Sequence, residues 1–121
     1  MKIKTSELTG AALDWAVAKC EGLAVFKSGA GPSAKMVYIP KGKRNYYKYE
    51  PAVNWKQGGP IIERERIDVI SDPNGTAGWL GRNYINQKII AQYGATPLIA
   101  AMRCYVASKL GDEVEIPEEL K

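Results

Sequence analysis

The sequence predicts an α+β fold, with a central antiparallel sheet flanked by an N-terminal and a C-terminal helix in one compact domain. Three observations carry that expectation. Apolar residues recur at helical spacing near each end, at Leu13, Ala16, Val17 and Cys20 and again at Leu98, Ile99, Met102, Val106 and Leu110. Between them lie short runs of β-branched and aromatic residues punctuated by Gly and Pro. The 121 residues suit a single domain, residues 1–121, burying somewhat under ~70% of its unfolded surface, and no internal repeat or long linker divides them.

Residues 2–4 read as a short strand. Thr5 and Ser6, or Thr9, offer hydroxyls that cap the following helix, which runs from Ala11 to Cys20 and stops at Gly22. Leu23 to Lys27 reads as a strand. Ser28-Gly29-Ala30-Gly31-Pro32-Ser33 is a loop by its punctuation. It is a poor match to a phosphate cradle, because it lacks a Walker lysine and the GxGxxG spacing. Lys35 to Ile39 is a strand broken at Pro40-Lys41-Gly42, and Tyr46 to Glu50 returns as its hairpin partner. Pro51, Gly58, Gly59 and Pro60 delimit an irregular segment that contains Trp55. Ile61-Ile62-Glu63 and Arg66 to Ile70 alternate and pair as strands. Asp72-Pro73-Asn74-Gly75 is a turn, and Thr76 to Gly81 is a loop anchored by Trp79. Ile85, Ile89 and Ile90 give Tyr84 to Tyr93 a helical spacing that Gly94 ends. Thr96 then caps a helix with Pro97 at its first position, running to Leu110 and stopping at Gly111.

Composition narrows the function classes. An apolar fraction of 45% and a charged fraction of 25% are ordinary for a globular chain, so disorder is not expected. Met1-Lys2-Ile3-Lys4 precedes no apolar stretch, and Ala11 to Ala18 is short and carries Asp14, so neither a signal peptide nor a membrane span is expected. Cys20 and Cys104 sit in helical patterns as buried free thiols, with a bridge between them as the alternative. The chain has no histidine, which removes the commonest general base and metal ligand and excludes Ser–His and Cys–His hydrolases. The cysteines lack zinc spacing. No metal, no cofactor and no catalytic residue are expected, and the chain reads as a binding protein.

The net charge of +4 is unevenly placed. Lys35, Lys41, Lys43, Arg44, Lys48, Lys56, Arg64 and Arg66 face only Glu50, Glu63 and Glu65 in the same stretch, with Tyr38, Tyr46, Tyr47, Tyr49 and Trp55 interleaved. Positive charge attracts phosphate and aromatic faces stack on bases. The far end is acidic, with Asp112, Glu113, Glu115, Glu118 and Glu119; a solvated tail is its simplest reading.

Four stretches, in order, together resemble the phage NinX family: Leu8 to Ala18, Trp55-Lys56-Gln57-Gly58-Gly59-Pro60 through Glu65, Gly94-Ala95-Thr96-Pro97-Leu98 through Arg103, and Val106 to Val114. The chain departs from the family in its glycine-rich loop, its tyrosine-rich hairpin and the region Asn74 to Ile90. The resemblance implies a phage or prophage origin and expression in the host bacterial cytoplasm. It implies no established activity.

The most family-like segments also suggest a site. The glycines at Gly58 and Gly59 leave backbone N–H groups approachable, and Trp55 offers a flat wall beside them. The Thr96-Pro97 helix start can hold an anion, and Arg103 lies two turns further along. The candidate ligand-binding set is Tyr47, Tyr49, Trp55, Lys56, Gly58, Gly59, Glu63, Thr96, Pro97 and Arg103. Each has a plainer reading: Trp55 as core, Gly58-Gly59-Pro60 as a turn, Thr96 as a cap, and Arg103 as the ion-pair partner of Asp14. Glu63-Arg64-Glu65-Arg66 is one charged face of an exposed strand.

The leading expectation is a homo-oligomeric protein that sequesters a nucleotide-derived signal of host defence, such as a cyclic nucleotide, without chemistry. The alternatives are a DNA- or RNA-binding accessory of phage replication or recombination, or an adaptor for a host protein. An enzyme ranks last, with Glu63 and Glu65 as its only paired carboxylates.

Overall fold

The computed structural model describes residues 1–29, 35–72, 74–75 and 78–120. The glycine-rich stretch 30–33 therefore lies outside the described residues, as do Pro73, Thr76 and Ala77. The chain is α+β, with three helices and three small antiparallel sheets among the described residues in place of one central sheet.

Strand β1 (Lys2–Lys4) pairs with β8 (Glu113–Glu115), bringing the two ends of the chain together. Its register sets Lys2 opposite Glu115 and Lys4 opposite Glu113, with Ile3 and the buried Val114 between them. Helix α1 (Gly10–Glu21) buries Leu13, Ala16 and Val17 as the sequence predicts, and Gly22 ends it in the left-handed conformation. Strands β2 (Val25–Ser28), β3 (Lys35–Tyr38) and β4 (Tyr47–Lys48) form the second sheet, in that order. The predicted strand Tyr46 to Glu50 is shorter than expected, because Tyr49 turns into the core and Glu50 begins a turn.

Helix α2 (Trp55–Glu65) overturns two expectations. The segment around Gly58-Gly59-Pro60 is helical rather than a turn, and Ile61-Ile62-Glu63 is its second half rather than a strand. Asn54 starts the helix by accepting the Lys56 N–H on its side-chain oxygen at 2.9 Å. Burial of Gly58 and Ile61 then holds it. Pro60 removes one helical hydrogen bond, a cost that this packing offsets. Arg66, in the left-handed conformation, ends it.

Strands β5 (Asp68–Ser71), β6 (Trp79–Ile85) and β7 (Lys88–Gly94) form the third sheet. The expected loop at Trp79 and helix over Tyr84–Tyr93 are instead a hairpin. Its turn residues Asn86 and Gln87 both have positive φ, at 51° and 66°, as a two-residue hairpin turn requires. Helix α3 (Pro97–Leu110) is the centre of the molecule and is buried nearly all round, with Met102, Cys104 and Val106 fully enclosed. It lies on β6 and β7 at glycines. A Cβ at Gly81 would meet the Ala100 carbonyl oxygen at 2.5 Å, and one at Gly94 the Ala100 nitrogen at 2.6 Å. Leu110, expected on the core face, is 40% exposed.

The C-terminal ends of the three helices meet in one polar cluster. Arg64 binds both carboxylate oxygens of Glu21, at 3.0 and 2.6 Å, and also Glu65 at 2.8 Å. Tyr105 donates to Glu21. Arg64 holds the Glu21 carboxyl below the usual carboxylate range. The cysteines are free thiols, Cys104 buried and Cys20 partly so. Burial pushes them up to about 12 and about 11 respectively, so both stay protonated at neutral pH.

Candidate functional site

Two surfaces carry the residue types singled out by the sequence. The first is a groove of about 190 Å³ lined by Ala52, Val53, Trp55, Thr96, Pro97 and Leu98. It brings Trp55, Thr96 and Pro97 together, at the N-terminal ends of α2 and α3. Trp55 is 54% exposed, so it is not a core aromatic. The backbone donors there are mostly taken. Thr96 accepts the Ile99 N–H on Oγ1 at 3.1 Å and the Ala100 N–H on its carbonyl at 3.0 Å, while Pro97 has none. On α2, the Lys56, Gln57 and Gly58 N–H groups all donate to Asn54.

The other predicted residues do not join this groove. Gly58 is buried because α2 needs a close approach: a Cβ there would meet the Pro51 carbonyl oxygen at 2.4 Å and Leu98 Cδ2 at 2.6 Å. Its N–H is therefore not open to a ligand. Gly59 sits one turn along from Trp55, and a Cβ there would make an ordinary 3.7 Å contact with that ring. Lys56 is exposed on α2, and Glu63 is exposed two turns further along it. Tyr49 is in the core, its ring 5.6 Å from that of Tyr38, and burial raises its phenol. Arg103 spans from Nε to the Leu8 carbonyl at 2.8 Å and from Nη1 to the Tyr93 carbonyl at 2.9 Å, pinning α3 to its neighbours.

Arg103 thus takes backbone carbonyls, not Asp14. Asp14 accepts the Ala52 N–H at 3.1 Å, holding the turn that lines the groove. Burial pushes its carboxyl up to about 7; Glu50 adds to the rise, and the Ala52 N–H and Lys35 oppose it.

The second surface is the outer face of β2–β3–β4. The register places Phe26, Val37 and Lys48 in one row, with Ser28 and Lys35 beside it on the same face. Tyr46 and Ile39 continue that alternation just beyond the ladder. Phe26 and Tyr46 meet edge to face at 6.4 Å and are 47% and 61% exposed, and Ile39 is exposed beside them. Lys41, Lys43 and Arg44 are exposed in the β3–β4 connection. Among the described residues, none of Lys35, Lys41, Lys43, Arg44 and Lys48 pairs with a carboxylate. Tyr47 is exposed on the opposite, core-side row, 6.3 Å from the ring of Tyr38.

The two surfaces are joined through β4. Gln57 of α2 donates to the Lys48 carbonyl at 2.7 Å and accepts the Glu50 N–H at 2.7 Å. Phe26 was not among the residues the sequence singled out. The signal for it was the alternation Val25-Phe26-Lys27, which sends Phe26 to the face away from the core.

Among the described residues, no group of three or more acidic, Cys or His side chains is placed to hold a metal ion. No described helix is long and apolar enough to cross a membrane. The family model described as Bacteriophage P22, NinX matches residues 4–109. No curated protein matches the chain.

Proposed function

The chain belongs to the Bacteriophage P22 NinX family, a phage family of unknown function, and we propose that it binds single-stranded nucleic acid, without chemistry, on the outer face of β2–β3–β4. The observation that carries this reading is the pair of exposed rings, Phe26 and Tyr46, set among five basic residues with no carboxylate partner among the described residues. Exposed rings stack on bases of any sequence, and unpaired lysines and arginines track the phosphates. A binder of this kind fits an accessory role in phage replication or recombination.

The test is fluorescence anisotropy of a labelled single-stranded oligonucleotide, titrated with protein at several salt concentrations. Affinity should fall steeply with salt. Phe26→Ala and Tyr46→Ala should each weaken binding by about 5- to 160-fold, from a stacking contribution of ~1–3 kcal/mol per base. Binding that ignores both substitutions would reject this face as the site.

A second reading follows from the meeting of Trp55, Thr96 and Pro97: a nucleotide signal sequestered in the groove, with Trp55 stacked on its base. The groove is smaller than the roughly 300–1,000 Å³ sites that enclose whole small molecules. One copy would grip a single ring and leave the rest exposed, which ranks this reading second. A rise in melting temperature with one mono-, di- or cyclic nucleotide, lost in Trp55→Ala, would reverse the ranking.

A further inference from the structure

We infer that the outer face of β5–β6–β7 is where two copies of this chain meet. An antiparallel sheet that rests one face on a core ordinarily turns polar side chains to solvent on the other. Here the register sends Ile70, Leu80, Tyr84, Ile89, Ala91 and Tyr93 outward, while Val69, Gly81 and Ile90 face α3. Tyr84, Ile89 and Tyr93 are 58%, 62% and 52% exposed. That is a contiguous apolar and aromatic surface on regular strands, the composition of an interface core.

The charges on this face select the occupant. The middle row holds Asp68 and Arg82, which pair with each other at 3.2 Å, and Arg82 also lies over the Tyr84 ring at 5.6 Å. The face therefore sums to zero charge on a chain of +4, so two like-charged copies can approach here without repulsion. It offers a polyanion nothing to hold. Three strands of up to seven residues project only ~14 by ~23 Å, against ~800 Å² per partner for a standard interface. Association should be reversible and depend on concentration.

Sedimentation equilibrium across protein concentrations from micromolar to millimolar tests this. The mass should rise from 13.3 kDa towards twice that value. Ile89→Glu and Tyr84→Ser change exposed side chains, so each should leave the melting temperature of dilute protein unchanged and weaken association at least tenfold. A mass that stays at the monomer value throughout would overturn the inference. So would association that survives both Ile89→Glu and Tyr84→Ser, or that Phe26→Ala abolishes instead.

Discussion

Asp14 sits 7% exposed beneath the Pro51–Val53 turn, with the Ala52 N–H as its hydrogen-bond donor. Its pKa is raised from 3.8 to about 7, chiefly by burial, so folding favours its protonated form. Between those two values the folded chain holds a proton that the unfolded chain has lost. Stability from this group is therefore greatest below pH 4 and declines as pH rises through 7. Asp14→Asn should remove that slope and relatively stabilise the protein at pH 8, by up to about 4 kcal/mol. Chemical denaturation of both proteins at pH 5 and pH 8 checks it; parallel pH dependences would show that Asp14 is not buried in its charged form. A second residue-level contrast lies in two adjacent glycines. Gly58→Ala should cost ~1–3 kcal/mol, because backbone at Pro51 blocks the new methyl. Gly59→Ala meets only Trp55 at 3.7 Å and should gain ~0.5–1 kcal/mol of helix propensity. Equal effects in urea unfolding would contradict the packing of α2.

At the scale of the element, α2 forms against its own sequence and depends on its ends. Asn54 satisfies three N–H groups at its start. Asn54→Ala should cost ~1 kcal/mol and open the first turn of α2, including Trp55, to faster amide exchange. Thr96→Ala should cost a similar amount while leaving the rest of α3 protected, since that helix is held by burial nearly all round. If Asn54→Ala leaves exchange in α2 unchanged, packing alone holds the helix. Sheet β2–β3–β4 is different. It is short, two-residue β4 included, and its outer face is free of ion pairs among the described residues. Its exposed residues, Phe26, Tyr46 and the lysines, can be mutated without unfolding the chain, whereas Val37 in the same row is buried.

Across the whole molecule, two groups of charged residues stand in contrast. Arg64, Lys109, Glu21, Glu65 and Tyr105 bind one another where the three helices end. The basic residues from Lys35 to Lys48 are left to solvent. The second group is available to a polyanion. Replacing Lys41, Lys43 and Arg44 together by Gln should leave the melting temperature unchanged. It should also lower the slope of log affinity against log salt by about 2, at ~0.7 per phosphate of a single strand. An unchanged slope with weaker binding would mean these residues act on the fold rather than on phosphates.

Features set by local chemistry are legible in the residues alone. The start of α3 at Thr96-Pro97, the stops at Gly22 and Gly111, and β1, β2 and β3 follow from capping, glycine freedom and alternation, each specified within a few residues. The α+β class, the NinX family and the uneven charge were legible in the same way. The rest depends on contacts between residues distant in the chain. Gly58-Gly59-Pro60 signals a break locally, but a glycine was needed where α2 meets Pro51 and Leu98, and that contact lies outside any local window. Ile85, Ile89 and Ile90 fit a helix by spacing; the Asn86-Gln87 turn and pairing across the sheet put Ile90 on the core side and Ile89 in solvent. The site was read in the same divided way. Trp55 and Thr96 do share a groove, while Tyr49, Gly58 and Arg103 are taken up by packing and backbone contacts. Residue type shows what a side chain can bind, but only the fold fixes whether it still has a free face with which to do so.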